Sequence, residues 1–284
     1  PPSQQRDDLT HRFADGETIN LGISSSRIRG KGNQTEGYIL IMRDITRSKS
    51  FDEERDEFIS VVSHELRTPV TITEGTLSNS LLLIQKGASP SVVSESLTSA
   101  HEQTLYLARM INDLSTLSRA ERGIGAEKEI IHVGDLMHEL YTEYHKKAAE
   151  KKLRLDLSLS PTLGDVQASR LYLEEILQNF LTNAIKYTQK GSVTLSAHKR
   201  AGRIHFAVTD TGIGISKHEQ KKVFDKFYRA EDYRTRETNG TGLGLYVVKK
   251  LAGKMDIEIE LTSHLNHGST FGFTLPVEVD NETK

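Results

Sequence analysis

The sequence predicts a chain of three parts: a small β fragment, a hairpin of two long α-helices, and an α+β sandwich. Strand-like alternation ends near residue 46, and two long stretches of helical apolar spacing follow it to about residue 122. Beyond that point, short apolar strands alternate with amphipathic helices. We therefore expect domains at residues 1–46, 47–122 and 123–284.

Composition limits the kinds of function. The 284 residues carry a formal net charge of −2, which gives no general attraction to nucleic acid or to an acidic membrane surface. The chain has no cysteine, so disulfides, thiolate metal sites and thiol catalysis are excluded. No run approaches 18 apolar residues, so we expect no membrane span. We expect a cytoplasmic location, and membrane anchoring through a missing N-terminal part stays open.

The N-terminal segment has the pattern of strands. Residues 17–24 alternate, residues 38–42 form a run of the buried type, and residues 29–33 between them have turn chemistry. Two or three strands cannot bury a core alone. We expect this segment to be the end of a larger sheet domain.

The next segment predicts two long helices, from Ser48 to about Lys86 and from Pro90 to about Ala120. Apolar positions along one side of the second helix are Leu97, Thr104, Leu107, Ile111, Leu114 and Leu117. A two-helix hairpin leaves such a face uncovered, so pairing two hairpins into a four-helix bundle predicts a homodimer. In the alternative, the stripe docks on the C-terminal domain of its own chain.

A histidine stands out on the first of these helices. Phe58, Val62 and Leu66 share one face. His64 lies about 200° round the helix from its apolar neighbours, and therefore points to solvent with Thr68 one turn on. Zinc binding through His-Glu-x-x-His is excluded, because position 68 is threonine. Pro69 is expected to bend the helix.

The C-terminal part predicts a mixed sheet with helices on one face, after a linker at residues 123–125. Strands are expected at 129–133, 153–159, 192–198, 204–209, 257–262 and 270–275. Helices are expected at about 134–151, 168–189, 216–223 and 242–252.

The first chemical motif of this part lies on its second helix. Asn179, Asn183 and Lys186 are spaced four and three residues apart and share one helix face, with Tyr187 beside them. Carboxamide oxygens suit a hard divalent cation that keeps phosphate and water ligands. The alternative is that these side chains only hydrogen-bond neighbouring loops.

Two glycine motifs follow, although neither a Walker A loop nor a Gly-x-Gly-x-x-Gly after a strand occurs. Asp210 after an apolar strand could accept a hydrogen bond from an exocyclic amino group, with Gly212 and Gly214 giving close approach; a simple tight turn is the alternative. The run 240–245 leads into a helix, where backbone donors suit a triphosphate. Between them, the polar stretch 230–239 has the composition of a mobile lid.

Taken in order, five motifs resemble those of the sensor histidine kinases of two-component systems. Residues around His64 match the H box, 179–188 the N box, 210–214 the first glycine box, 224–229 the F box and 240–245 the second glycine box. The resemblance covers about residues 47–278, while residues 1–46 resemble the C-terminal end of a PAS domain. It implies a dimerisation and phosphotransfer hairpin followed by a Bergerat-type ATP-binding domain.

The resemblance also implies residue roles. His64 would be phosphorylated, and Glu65 would accept or orient the imidazole proton. The partner would be a response-regulator receiver domain, and Thr68 would position water for phosphatase activity toward it. Asn183 would bind Mg²⁺, supported by Asn179. The remaining residues implied at the ATP site are Lys186 and Arg229 (phosphates), Tyr187 and Asp210 (adenine), and Gly212, Gly214, Gly240, Thr241, Gly242, Leu243 and Gly244 (pocket and lid).

Two rival functions remain at this stage. An ATPase of the gyrase or chaperone type usually has glutamate at the first N-box position, where this chain has Asn179. A scaffold that only binds nucleotide would not need His64. The products formed from γ-labelled ATP would separate the three functions. A kinase would keep stable label on the protein, an ATPase would release free phosphate, and a scaffold would give neither product.

Overall fold

A computed structural model describes residues 4–30, 34–229 and 240–278, without the side chains of residues 4–8. The chain divides into two compact units, Pro1–Gly75 and Thr76–Lys284. Each unit is described by itself below.

The first unit begins with an antiparallel meander in the order β1-β2-β3. Its strands are β1 (Gln4–Arg12), β2 (Thr18–Arg29) and β3 (Thr35–Asp44). The expectation that residues 38–42 form a buried run is wrong, since Tyr38 is 71% and Ile41 60% exposed. The described residues supply no second layer for this sheet, so neither face of β3 is covered. The PAS assignment stays a prediction.

The first long helix, α1 (Thr46–Gln85), starts in this unit and stays helical through Pro69. The second, α2 (Pro90–Glu121), begins at the predicted Pro90, with Ser89 at the N-cap. Gly87 turns the chain between them with φ +68°. Near this turn, the hydroxyl oxygens of Ser80 and Ser96 lie 2.8 Å apart and join the two helices.

The C-terminal part of the second unit is a two-layer α/β sandwich. Its strands are β4 (Glu129–His132), β5 (Arg154–Leu159), β6 (Asp165–Ala168), β7 (Ser192–Arg200), β8 (Arg203–Asp210), β9 (Ile259–Ser263) and β10 (Ser269–Pro276). Its helices are α3 (Val133–Glu150), α4 (Arg170–Tyr187) and α5 (Gly244–Met255). The main sheet has the order β5-β7-β8-β10-β9, with β5 and β7 parallel and the other pairs antiparallel.

The core of this sandwich lies between the sheet and helices α3 and α4. The rings of Phe206 and Phe273 stack with centroids 5.0 Å apart, and Phe180 of α4 stacks on Phe271 of β10 at 5.3 Å. The mixed sheet confirms the predicted fold class. The sequence missed β6, which pairs only with β4, and the expected helix 216–223 contains only one 3₁₀ turn, Glu219–Lys221.

Helix α2 is covered in its C-terminal half by its own chain, where it packs on α5. Met110, Leu117 and Ala120 are buried there, whereas Leu97 and Ile111 of the predicted stripe are 44% and 59% exposed. The stripe is therefore divided: one part docks on the C-terminal domain and the other stays open. Of the helices in the described ranges, none is both long and apolar enough to cross a bilayer.

Candidate functional site

A cavity of about 590 Å³ lies between α2, α4, the loop after β8 and the start of α5. It brings together most of the residues that the sequence assigned to a nucleotide site, namely Asn179, Asn183, Lys186, Tyr187, Asp210, Gly214, Arg229, Gly240, Thr241, Gly242 and Gly244. Gly212 and Leu243 do not line it. Leu243 is fully buried, and the backbone N–H of Gly212 donates to Asp210 Oδ1 at 2.8 Å.

Helix α4 presents the asparagines because its opposite face is fixed in the core. The Ser169 hydroxyl caps the helix by accepting from the Tyr172 N–H at 3.1 Å, and the buried positions of α4 recur at helical spacing. Asn179 donates its Nδ2 to the Glu175 carbonyl at 2.9 Å, which leaves its Oδ1 as an acceptor. The carboxamide of Asn183 has no hydrogen-bond partner among the described residues.

A basic region lies at the C-terminal end of α4. The Lys186 ammonium donates to the Tyr187 hydroxyl at 3.0 Å. Burial first, and then the nearby positive charges of Arg229 and Arg109, lower the pKa of Lys186 to about 8. Cations held together in a cavity favour an anionic ligand.

Asp210 ends β8 as a nearly buried carboxylate, 7% exposed. Burial raises its pKa, while hydrogen bonds from the backbone N–H groups of Gly212 and Ser269 oppose that rise. Beside it, the Thr188 hydroxyl is buried without a hydrogen-bond partner within the described residues. A buried acceptor of this kind suits an amino group of a base.

Two glycines allow close approaches in the cavity wall. Gly214 has φ +65°, and a Cβ there would lie 2.0 Å from the His264 carbonyl oxygen. Gly244 starts α5, where a Cβ would lie 2.5 Å from Asn179 Oδ1. The first turn of α5 thus borders the cavity near the Asn179 carboxamide.

His64 lies in the other unit, on α1. Its side chain is 73% exposed, which confirms the outward orientation predicted from helical spacing. Its Nδ1 lies 3.5 Å from Glu65 Oε1. The Thr68 hydroxyl, one turn on, donates to the His64 carbonyl at 3.3 Å and is also exposed.

The sequence did not indicate that α2 lines the cavity. Asp113 Oδ2 accepts from the Thr241 hydroxyl at 2.7 Å, and Arg109 and Asn112 also line the wall. Burial raises the pKa of Asp113 to about 6, helped by Glu175 and opposed by the Thr241 hydrogen bond and Arg109. The four-residue spacing of Arg109 and Asp113 shows that they share a helix face, but not what that face contacts.

Two further expectations concern connecting segments. The lid predicted at 230–239, with Arg234 and Arg236, lies outside the described residues. The predicted linker at 123–125 is hydrogen-bonded to the sandwich. The Ser169 hydroxyl donates to the Gly125 carbonyl at 2.5 Å, and the Tyr172 hydroxyl donates to the Ile124 carbonyl at 3.2 Å.

Comparison with known proteins agrees with this geometry. Residues 54–123 match the His Kinase A (phospho-acceptor) domain, and residues 168–279 match the histidine kinase-, DNA gyrase B- and HSP90-like ATPases. The sensor-like histidine kinase SenX3 of Mycolicibacterium smegmatis is 33% identical over 277 residues, covering 94% of this chain and 70% of the relative. The chain belongs to the sensor histidine kinase family.

Other members of the family are longer. Drug sensory protein A of Synechocystis is 31% identical over 97% of this histidine kinase chain, which spans only 42% of that relative. Among solved structures, full-length ShkA in complex with AMPPNP is 27% identical with a TM-score of 0.56, covering 78% of this chain and 45% of that one.

Proposed function

We propose that this histidine kinase binds ATP in the cavity and transfers the γ-phosphoryl group to Nε2 of His64. The observation that carries the proposal is that one chain contains both groups the reaction needs. An exposed histidine lies beside a carboxylate on the phospho-acceptor helix, and a separate basic cavity contains a buried hydrogen-bond acceptor. The ATPase-family match and the AMPPNP complex of ShkA support the choice of nucleotide.

The position of Glu65 selects the reacting nitrogen. A carboxylate beside Nδ1 favours the tautomer with the proton on that nitrogen, so the lone pair of Nε2 faces solvent. Nε2 attacks the γ-phosphorus, the bond to the β–γ bridging oxygen breaks, and ADP leaves. Glu65 stabilises the positive charge of the ring until Nδ1 releases its proton.

The cavity residues would divide the nucleotide between them. Asp210 accepts from the adenine amino group, and Tyr187 packs on the base. Lys186 and Arg229 contact the phosphates. The glycine positions, including Gly212, Gly240 and Gly242, give the backbone its close approach, and Thr241 and Leu243 hold the second glycine box in place.

Asn183 and Asn179 would hold Mg²⁺. The unpartnered carboxamide of Asn183 and the free Oδ1 of Asn179 are oxygen donors, and no cluster of three His, Asp or Glu side chains suited to a metal occurs in the described ranges. A site of two carboxamides fits a cation that keeps phosphate and water ligands. When bound, Mg²⁺ neutralises charge on the phosphates.

We further assign residues 1–46 to a PAS-like sensor fragment, 47–122 to the dimerisation and phosphotransfer hairpin, and 123–284 to the ATP-binding domain. The chain acts as a homodimer and passes the phosphoryl group to an aspartate of a response regulator. The phospho-acceptor family match supports this assignment.

The test is incubation with Mg²⁺ and γ-labelled ATP. We expect label on the protein that is stable in alkali and lost in acid, and absent from His64→Ala although that variant still binds ATP. Asn183→Ala should lose the Mg²⁺-dependent reaction. Free phosphate without labelled protein would support an ATPase instead.

We assign to Thr68 a role in phosphatase activity toward the phosphorylated response regulator. We expect Thr68→Ala to slow dephosphorylation of the phosphorylated regulator far more than autophosphorylation, because its hydroxyl lies on the outer face one turn from His64. Equal loss of both rates would remove the assignment.

A further inference from the structure

The second helix of the hairpin supplies part of the cavity wall. Leu105, Ala108, Arg109, Asn112 and Asp113 of α2 all line the cavity that α4 and the second glycine box form. The Asp113–Thr241 hydrogen bond of 2.7 Å attaches α2 to the second glycine box. The helix that follows the phospho-acceptor helix therefore borders the ligand space directly.

Three cationic side chains from three segments line this space. Lys186 belongs to α4, Arg229 to the F box, and Arg109 to α2. Both guanidinium groups lower the pKa of the Lys186 ammonium, so each of them repels that ammonium across the cavity. This repulsion disfavours the cavity without a ligand, and an anion among the cations would relieve it.

Within the part of the chain that the structure describes, no ion pair neutralises the charge of Arg109. No described carboxylate lies within salt-bridge distance of its guanidinium. Asp113, four residues on, attracts it electrostatically, but its Oδ2 accepts from Thr241. The carboxylate of Glu175, which acts electrostatically on Asp113, accepts at Oε1 from the Thr116 hydroxyl at 3.5 Å.

We propose that Arg109 is a phosphate-binding residue of the nucleotide site, supplied by the helical hairpin and not by the ATPase-like domain. This inference rests on the proposed ATP binding. A guanidinium offers several donors in a fixed fork, which suits the oxygens of a polyphosphate chain. A nucleotide held in this way contacts both domains at once and stabilises the docking of α2.

The experiment is calorimetric titration of the full chain with ATP, ADP and adenosine in the presence of Mg²⁺. We expect Arg109→Ala to weaken ATP binding roughly tenfold, the scale of one charge-assisted phosphate contact. Adenosine binding should be unchanged, because adenosine carries no phosphate. Arg109→Lys should retain part of the ATP affinity.

The matched control is Arg122→Ala, which removes the same charge at the end of α2. Arg122 donates to the Ser118 carbonyl and does not line the cavity, so its loss should leave ATP affinity unchanged. The ATP affinity of the parent chain should also fall more steeply with salt than that of Arg109→Ala, since one ionic contact is missing in the variant.

Two results would overturn the role of Arg109. One is a variant that binds ATP as well as the parent chain, and the other is an equal loss for ATP and adenosine, which would indicate altered packing. In either case the parent chain still binds ATP, so the proposed function would stand. A parent chain that binds no ATP would overturn both.

Discussion

At the scale of single residues, Lys186 is the group whose chemistry depends most on its surroundings. Burial and two neighbouring arginines bring its pKa to about 8, within the range of ordinary assay conditions. Its helix face can be predicted from the sequence because the spacing from Asn183 is local, whereas its phosphate-binding role is implied only by the family resemblance. It could not predict Arg109 or Asp113, since their contacts join segments far apart in the chain.

The lowered pKa predicts a pH dependence of ATP binding. Lys186 binds phosphate as a cation, so affinity should be flat below its pKa and fall as pH rises through it, by about tenfold one unit above. Lys186→Arg should keep its affinity over the same range because arginine stays charged. Titrations with ATP from pH 6.5 to 9 check this, and parallel curves for the two proteins would contradict it.

At the scale of elements, prediction succeeded where periodicity and local turn chemistry decide the structure. Ser89 and Pro90 mark the start of α2, and the apolar alternation of β7 and β8 marks the central sheet. It failed for β6, a strand of four residues that is defined by pairing with β4. Burial of residues 38–42 also failed, because apolar composition alone does not supply a covering layer.

Gly214, in the loop after β8, gives a prediction with an internal control. Gly214→Ala should destabilise the sandwich by at least about 2 kcal/mol, because its Cβ would strike the His264 carbonyl and its φ is left-handed. Gly253→Ala, in α5 with open space around the new Cβ, should stabilise it by about 0.5–1 kcal/mol. Urea unfolding monitored by circular dichroism measures both, and equal effects would contradict the account.

At the scale of the whole molecule, the hairpin leaves apolar side chains uncovered near its turn. Leu81 and Ile84 of α1 are 63% and 57% exposed, and Val92 of α2 is 45% exposed. Large apolar side chains exposed on both helices near one turn favour association.

We therefore expect a dimer in analytical ultracentrifugation, and a monomer when Leu81 and Ile84 are both changed to glutamate, because burying two charges in the interface is costly. Ile130→Glu, at an exposed apolar position of β4 outside the hairpin, should leave the dimer intact. A monomeric parent chain at micromolar concentration would contradict this expectation.

The most direct test of the whole account is to locate the phosphoryl group after reaction with Mg²⁺ and ATP. The chain has eleven histidines, and fragmentation mass spectrometry at neutral pH can distinguish them. We expect one phosphoryl group on His64 and none on the other histidines. Phosphorylation of a different residue, or unmodified protein with ATP consumed, would contradict it.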